Sequence, residues 1–222
     1  MFSFEALWTI FSTKLPVFMQ GAVVTVQLAA WTVAGGSLLG IVVALLRLSR
    51  VRILRAISGA YVEFLRGTPL LVQVLIFYYG LPQLGVRLPR MTAGILALII
   101  NSGAYMAEIV RSGIQAIDAG QDEAARSLGM TSMQTMLYVI LPQALKNILP
   151  AVGNEFVVII KESSILYTIG IYELTYQANK LASTNFRYLE TLTISALIYF
   201  VLTFTTSRVL GMLERRMQRA DR

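Results

Sequence analysis

The sequence predicts an all-α integral membrane protein, with five transmembrane helices in a single domain that covers residues 1–222. Of its 222 residues, 56% are hydrophobic and only 14% are charged, whereas a soluble domain is nearer half apolar and a quarter charged. The mean hydropathy is +0.65. Charged residues are clustered, and uncharged runs separate the clusters. These runs are Leu15–Leu46, Gly67–Val86, Met91–Ala107 and Thr191–Ser207. Each approaches or exceeds the roughly 17–20 residues that a membrane crossing needs.

The first span is predicted at about 21–46, and Gly35, Gly36 and Gly40 within it indicate close packing against a neighbouring helix. Aromatic residues precede it, beginning with Phe2, Phe4 and Trp8. They favour either a short interfacial segment or simply the start of the span, and both interpretations stay open. The N-terminus lacks the basic stretch and the small-residue cleavage site of a signal peptide.

The second span is predicted at about 62–84 and the third at about 91–110. Pro69 is expected to kink or begin the second, and Thr68 before it is a candidate for the substrate pathway. In the third, Asn101, Tyr105 and Glu108 share one helix face at i, i+4 and i+7 spacing. This face either lines a polar path, with Asn101 and Tyr105 as its candidate residues, or serves helix–helix hydrogen bonding.

The longest polar connection, about 111–146, predicts two short helices rather than a loose loop. Asp118 is a suitable helix start, and Thr131 followed by Gln134 has the spacing of a capping box. Gly129 between them is suited to closing the first helix with positive φ. Pro142 is expected to end the second helix. Such a connection between two spans is a natural docking surface for another protein.

The fourth span, at about 147–167, is unusual because Lys161 and Glu162 lie inside it. Charges at the centre of a span cost about 2.5–3.5 kcal/mol each, so they mark functional sites by default. Helical spacing places Lys161 on one side and Glu155 with Glu162 on the adjoining side. We predict that Glu155, Lys161, Glu162, Ser163 and Ser164 line a substrate pathway. The alternative is a structural ion pair of Lys161 with Glu108 or Glu155.

The fifth span is predicted at about 188–213, which puts the two termini on opposite sides of the membrane. Thirteen of the 19 Lys and Arg residues fall on one side: Arg47, Arg50, Arg52, Arg55, Arg66, Arg111, Arg126, Lys146, Arg208, Arg215, Arg216, Arg219 and Arg222. Five fall on the other side: Lys14, Arg87, Arg90, Lys180 and Arg187. The positive-inside rule therefore predicts that the N-terminus is outside and the C-terminus inside.

The composition argues against an enzyme and against a chain that hydrolyses ATP itself. There is no His and no Cys, which removes the commonest general base and the thiolate metal ligands. No phosphate-binding loop occurs; RGTPLL at 66–71 lacks the second Gly and the Lys. The formal charge of +7 is carried mainly beside the spans, so it does not indicate nucleic-acid binding.

The stretch EAARSLGMTSMQTMLYVILP, residues 123–142, resembles the cytoplasmic EAA loop of ABC importer permeases. The matching residues are Glu123, Ala124, Ala125, Gly129, Leu141 and Pro142; Val139 replaces the usual Ile. FLRGTPLLVQVLIFYYGLPQLG (64–85), NSGAYMAEIVRSGIQAIDAGQ (101–121) and LPQALKNILPAVGNEFVVIIKESSI (141–165) are similar to permeases for polar amino acids, such as glutamine, glutamate, histidine, arginine and cystine.

The resemblance implies a type I ABC importer permease fold and a multi-pass location in the inner membrane of a prokaryote. It also implies the partners: a second permease, identical or homologous, two cytoplasmic ATP-binding subunits and an extracytoplasmic solute-binding protein. ATP and Mg²⁺ would bind the ATPase partner, and this chain would hold no cofactor. In this interpretation Glu123, Ala124, Ala125, Arg126 and Gly129, with Leu141 and Pro142, couple the permease to the ATPase.

Two other classes of function remain open from the sequence. A secondary transporter would relay ions through Lys161, Glu162 and Glu155 without an ATPase. A membrane scaffold would leave those charges unexplained. The sequence leaves open which amino acid is transported, whether the two permeases are identical, and whether a substrate site lies within the membrane.

Overall fold

The computed structural model describes residues 2–219, which form helices joined by short turns, with no strand among them. The helices run in the order α1 (Phe4–Leu48), α2 (Arg52–Gly67), α3 (Leu70–Leu75), α4 (Arg90–Gln115), α5 (Ala119–Ser127), α6 (Ser132–Thr135), α7 (Leu141–Glu162), α8 (Leu174–Asn185) and α9 (Tyr188–Arg219). Short π-helical or 3₁₀ turns extend three of them: Ile76–Gly80 and Leu81–Leu84 after α3, Met136–Ile140 between α6 and α7, and Ser163–Ile169 after α7. Arg222, which the charge count includes, lies outside the described residues.

The predicted number of spans is confirmed, with one of them broken in the middle. Four helices are each long and apolar enough to cross a membrane: α1, α4, the continuous helix Ser132–Ile169, and α9. The count reaches five when the pair Arg52–Gly67 and Leu70–Leu84, which are bent by 104° relative to each other, is taken as one broken span. The break expected at Pro69 is confirmed, but the predicted start at about 62 was late, because α2 begins ten residues earlier, at Arg52.

The break between α2 and α3 follows from Pro69 and is supported by buried polar side chains. Thr68 is extended because a residue before proline disfavours the helical conformation, and Pro69 is the residue from which α3 begins. The break leaves carbonyls of α2 without helical partners, which is costly inside a membrane. The Gln73 amide donates to Leu65 O at 2.9 Å and to Thr68 O at 3.2 Å. The bend is thus built into the fold.

The first helix is one continuous element that includes both the N-terminal aromatic stretch and the predicted first span. At 45 residues it is about 67 Å long, which exceeds a hydrocarbon core of about 30 Å. Its first part packs against α8 and α9 around Phe18, Leu174 and Ile194. Ser3 N also donates to Glu190 Oε1 at 3.1 Å. The N-terminal aromatics belong to this helix, and both interpretations of them stay predictions.

Among the described residues, α1 and α4 share the most extensive helix–helix contact, and glycines of the first span let them approach closely. A Cβ atom on Gly40 would lie 2.4 Å from Met106 Cβ, and one on Gly36 would lie 2.9 Å from Ser102 Oγ. Only glycine fits at these two positions unless the helices separate. The close-packing role predicted for the glycines is confirmed.

We expect Gly40→Val to destabilise the protein strongly, because its new side chain would have to displace α4. Overpacking a tight contact costs about 1–3 kcal/mol, and here the obstructing atoms include backbone. Thermal unfolding of the purified protein in detergent measures the effect. Gly211→Val is the matched control, since nothing lies within 4 Å of a Cβ there. Equal melting temperatures for the two variants would show that the α1–α4 contact is looser than described.

Helix α8, between the fourth and fifth spans, was not predicted. Its N-cap is Glu173, which is completely buried. The carboxylate accepts hydrogen bonds from Thr175 N at 2.9 Å, Tyr176 N at 2.7 Å and Tyr199 OH at 2.7 Å. Burial raises the pKa of Glu173 to about 7 despite these bonds. The residue fixes α8 against α9.

Candidate functional site: the connecting loop and the intramembrane polar groups

The connection between α4 and α7 begins with the predicted capped helix. Asp118 is the N-cap of α5, and its carboxylate accepts from Gly120 N at 2.7 Å. At the other end, Gly129 has a φ of +86°. Gly129 N donates to Arg126 O at 2.9 Å, and Met130 N donates to Ala125 O at 3.2 Å. These two bonds form a Schellman motif, which fixes the direction in which the chain leaves α5.

The next helix starts as predicted but does not stop where it was expected to. Thr131 and Gln134 form the capping box: Gln134 N donates to Thr131 Oγ1 at 3.3 Å, and Thr131 N to Gln134 Oε1 at 2.8 Å. The helix then continues through Pro142 to Ile169. The predicted stop at Pro142 was wrong because a π-helical turn, Met136–Ile140, precedes it and widens the helix where the proline ring would otherwise meet a carbonyl. The loop is therefore joined rigidly to the fourth span.

The residues of the predicted coupling surface divide into those that build the loop and those that face outward. Ala125 lies on the buried face of α5, whereas Glu123 and Ala124 are exposed. Arg126 is exposed too, but its guanidinium donates to Ser132 Oγ and so braces the turn at Gly129. Among the described residues, the Glu123 carboxylate makes no ion pair or hydrogen bond.

Large apolar side chains surround these charges without being covered by the rest of the chain. Leu128 is 84% exposed and Tyr138 is 73% exposed. Met133 and Leu137 are exposed as well. Of the remaining predicted coupling residues, Leu141 is half-buried and Pro142 is exposed. Exposed apolar side chains at this density mark an interaction surface.

Asn101 and Thr68, two candidates for the substrate pathway, belong instead to the hydrogen-bond network at the helix break. The Asn101 amide donates to Gln73 Oε1 at 3.0 Å, and Gln73 in turn donates to Thr68 Oγ1 at 2.9 Å. Asn101 and Gln73 are buried. Of the two interpretations of Asn101, helix–helix hydrogen bonding is the one that the geometry supports.

Tyr105 and Glu108, which share a face with Asn101, have different partners again. The Arg66 guanidinium lies over the Tyr105 ring, 5.3 Å from its centroid. Glu108 forms ion pairs with Arg47 and Arg111. The face therefore does not form one continuous polar path. It also follows that Glu108 is not the partner of Lys161.

Glu155 is buried in the centre of the helix bundle with little compensation for its charge. It is 7% exposed, and Ser102 Oγ donates to its Oε1 at 3.2 Å. No Lys or Arg lies within ion-pair distance of it among the described residues. Arg66 and Glu162 are near enough to act on its charge electrostatically. Carboxylates buried without a paired cation are rare and mark functional sites inside membranes.

Lys161 and Glu162 occupy the same depth but point in different directions. Lys161 is exposed and Glu162 is half-buried. About 16 Å of helix separate Lys161 from the end of the span at Ile169, given the rise of a 3₁₀ segment, which is about half of the hydrocarbon core. The part of the chain that the structure describes contains no ion pair between Lys161 and Glu155. The structural ion pair considered from the sequence is thus not formed.

The two serines after Glu162 differ in what they offer to a pathway. Ser163 is completely buried, and its hydroxyl donates to Ile160 O at 2.9 Å. Ser164 is half-buried. Ser163 therefore hydrogen-bonds a carbonyl in the last turn of α7 and does not line a path. Sequence reasoning missed Gln73, an amide within the uncharged run Gly67–Val86; nothing local indicates that its partner is Asn101.

Comparisons with known proteins extend over nearly the whole chain. Residues 36–219 match the family described as binding-protein-dependent transport system inner membrane component. The probable glutamine ABC transporter permease protein GlnM of Bacillus subtilis (strain 168) is 40% identical over 92% of this chain and 94% of its own length. The arginine transport system permease protein ArtQ of the same organism is 39% identical over 94% of this chain and 95% of its own.

A solved structure described as an amino acid ABC transporter with histidines is also similar. Its chain is 49% identical, with a TM-score of 0.92, and the match covers 97% of this chain and 99% of the other. The MetNI methionine ABC transporter, at 19% identity and a TM-score of 0.69, shares the fold. Both agree with the predicted type I importer permease architecture.

Proposed function

This chain belongs to the family of binding-protein-dependent transport system inner membrane components, and we propose that it is the permease through which a polar amino acid enters a prokaryotic cell. The single observation that carries the proposal is the connection between α4 and α7. It presents an uncovered surface of charged and apolar side chains at one end of a helix that, further along, carries charges inside the membrane. Such a helix joins a docking site to a pathway.

The substrate class rests on the relatives and on the chemistry of the intramembrane charges. The two relatives named above are described as a probable glutamine permease and an arginine permease, and the similar structure is an amino acid ABC transporter. An amino acid carries a carboxylate and an ammonium. Lys161 and Glu162 offer one complementary charge to each, and the buried Glu155 lies about two turns earlier on the same helix. Thr68, Asn101 and Ser163 support the helices around this pathway.

The proposed mechanism uses the continuity of the helix Ser132–Ile169. Two cytoplasmic ATPase subunits, which bind ATP and Mg²⁺, would close on the α5 surface. Because the capped turn at Gly129 and the helix after it are rigid, that movement would reach Lys161 and Glu162 directly. A second permease would complete the pathway, since Lys161 faces away from the packing of its own chain. A solute-binding protein would deliver the amino acid from outside.

We expect uptake of a radiolabelled polar amino acid by vesicles that contain this chain together with its ATPase and solute-binding partners. The competition of unlabelled glutamine, arginine, glutamate, histidine and cystine for that uptake identifies the substrate. Vesicles that lack this chain are the control. Uptake of none of these amino acids, or equal uptake without the chain, would contradict the proposal.

Docking through α5 predicts that Glu123→Lys weakens binding of the ATPase while the protein still inserts into the membrane. Glu123 is exposed and has no partner among the described residues, so its replacement disturbs no contact within the chain. Reversing a charge at an interface places like charges together, which costs several kcal/mol. Pull-down of the ATPase measures the loss. Glu5→Lys, which reverses an exposed charge at the start of α1, is the control. Undiminished pull-down by Glu123→Lys would place the ATPase elsewhere.

The proposed orientation has the N-terminus outside and the α5 surface in the cytoplasm, following the thirteen-to-five distribution of Lys and Arg. Cysteine labelling tests it cleanly because the chain has no Cys. Ser183→Cys should react with an impermeant maleimide added outside the cell, and Ser132→Cys should react only after lysis. Both positions are exposed. The reverse pattern would overturn the orientation.

A further inference from the structure

A polar cavity lies where the ends of α1, α2 and α4 meet, apart from the α5 surface and from the intramembrane charges. Its volume is about 450 Å³. Three arginines from three helices line it: Arg47, Arg55 and Arg111. Its floor on α2 is made of small residues, and a Cβ on Gly59 would have nothing within 4 Å. We call it the arginine cavity.

The charges of the arginine cavity are arranged to leave positive charge available. Glu108 pairs with both Arg47 and Arg111 and so holds their guanidinium groups in place. The Arg55 side chain makes no hydrogen bond or ion pair among the described residues. Glu63 is the acidic side chain of the lining. Three positive charges against Glu63 and Glu108 leave an excess of one, and the neighbouring Arg52 adds to it.

An exposed apolar stripe on α2 adjoins the cavity. Ile53 is 69% exposed, Ile57 65% and Phe64 66%. At 3.6 residues per turn these three fall on one line along the helix, beside the face that carries Ala56, Gly59 and Ala60. A cationic pocket bordered by an apolar stripe matches a molecule with an anionic head and a hydrocarbon tail. Basic pockets between transmembrane helices on the cytoplasmic side are known to suit phospholipid headgroups.

We propose that the arginine cavity binds the headgroup phosphate of an anionic phospholipid from the cytoplasmic leaflet, with an acyl chain along Ile53, Ile57 and Phe64. The proposal rests on the orientation given under the proposed function. Guanidinium groups suit this ligand because their planar donors match phosphate oxygens in pairs. The excess positive charge favours phosphatidylglycerol over the zwitterionic phosphatidylethanolamine.

Native mass spectrometry of the assembled transporter tests this, after delipidation and titration with phosphatidylglycerol. The parent should retain this lipid, and Arg55→Gln should bind it about fivefold more weakly, which is what one basic side chain near anionic lipid contributes. Gly59→Leu should abolish binding by filling the cavity without disturbing the fold. The matched controls lie on α9: Arg216→Gln at an exposed position, and Gly211→Leu where a Cβ would have nothing within 4 Å. Lipid counting requires no transport, so its failure is distinguishable from failure of the proposed function.

Four results would overturn the proposal. Equal retention by the parent, Arg55→Gln and Gly59→Leu would place the lipid elsewhere. Equal retention of phosphatidylethanolamine would remove the requirement for an anion. Displacement of the lipid by millimolar glycerol phosphate would make the cavity a site for free anions. Retention by the isolated permease but not by the assembled transporter would mean that a partner protein covers the cavity.

Discussion

Uptake is expected to be abolished by Gly129→Val while the protein remains inserted and folded. Gly129 has a φ of +86°, a conformation that costs a β-branched residue about 1–3 kcal/mol. Nothing lies within 4 Å of a Cβ at this position, so the side chain itself meets no obstacle. The strain acts on the backbone, and its release would turn α5 away from the helix that follows. Uptake in vesicles and pull-down of the ATPase measure the effect.

Gly129→Asn is the matched control, because asparagine tolerates the left-handed conformation better than any β-branched residue. It should keep most of the uptake. Loss of uptake in both variants would show that the side chain, and not the backbone angle, is what disturbs coupling. Normal uptake by Gly129→Val would remove the turn from the mechanism.

The second large effect is expected from the intramembrane charges. Lys161→Met and Glu162→Gln should each weaken amino acid binding by the permease–ATPase complex, measured by equilibrium dialysis without the solute-binding protein. A hydrogen bond to a charged group contributes about 1.5–3 kcal/mol, so the dissociation constant should rise at least about tenfold. Because Lys161 is exposed from its own chain, its replacement should not prevent assembly.

Lys180→Met, on the exposed side of α8, is the control for removing a positive charge. Both pathway variants should still form the complete complex with the ATPase. If they assemble and also bind and transport every substrate as the parent does, the pathway does not pass Lys161 and Glu162.

The parts of the fold that were predictable depend on local chemistry. The cap at Asp118, the capping box at Thr131 and the turn at Gly129 involve residues only a few positions apart, so their spacing in the sequence indicates the structure. The spans were predictable because a membrane requires long apolar runs. The charge distribution predicts an orientation by the same kind of reasoning, and that prediction awaits the labelling experiment.

The parts that were not predictable depend on distant partners or on backbone adjustments. Asn101 and Gln73 lie 28 positions apart, and either alone is compatible with a pathway or a structural role. Pro69 indicates a break in the second span, but the start of α2 at Arg52 was missed because this helix is amphipathic and carries three Arg. A π-helical turn lets the helix pass Pro142, and no residue pattern indicates it. Helix α8 has no long apolar run, and it forms because Glu173 caps it in the interior.

The most direct test of the account is whether ATP hydrolysis by the reconstituted complex in proteoliposomes is coupled to amino acid uptake. We expect the solute-binding protein with its amino acid to stimulate hydrolysis, uptake to require ATP hydrolysis, and Gly129→Val to lose the coupling. Uptake that continues without ATP and follows an imposed ion gradient would contradict it and make this chain a secondary transporter.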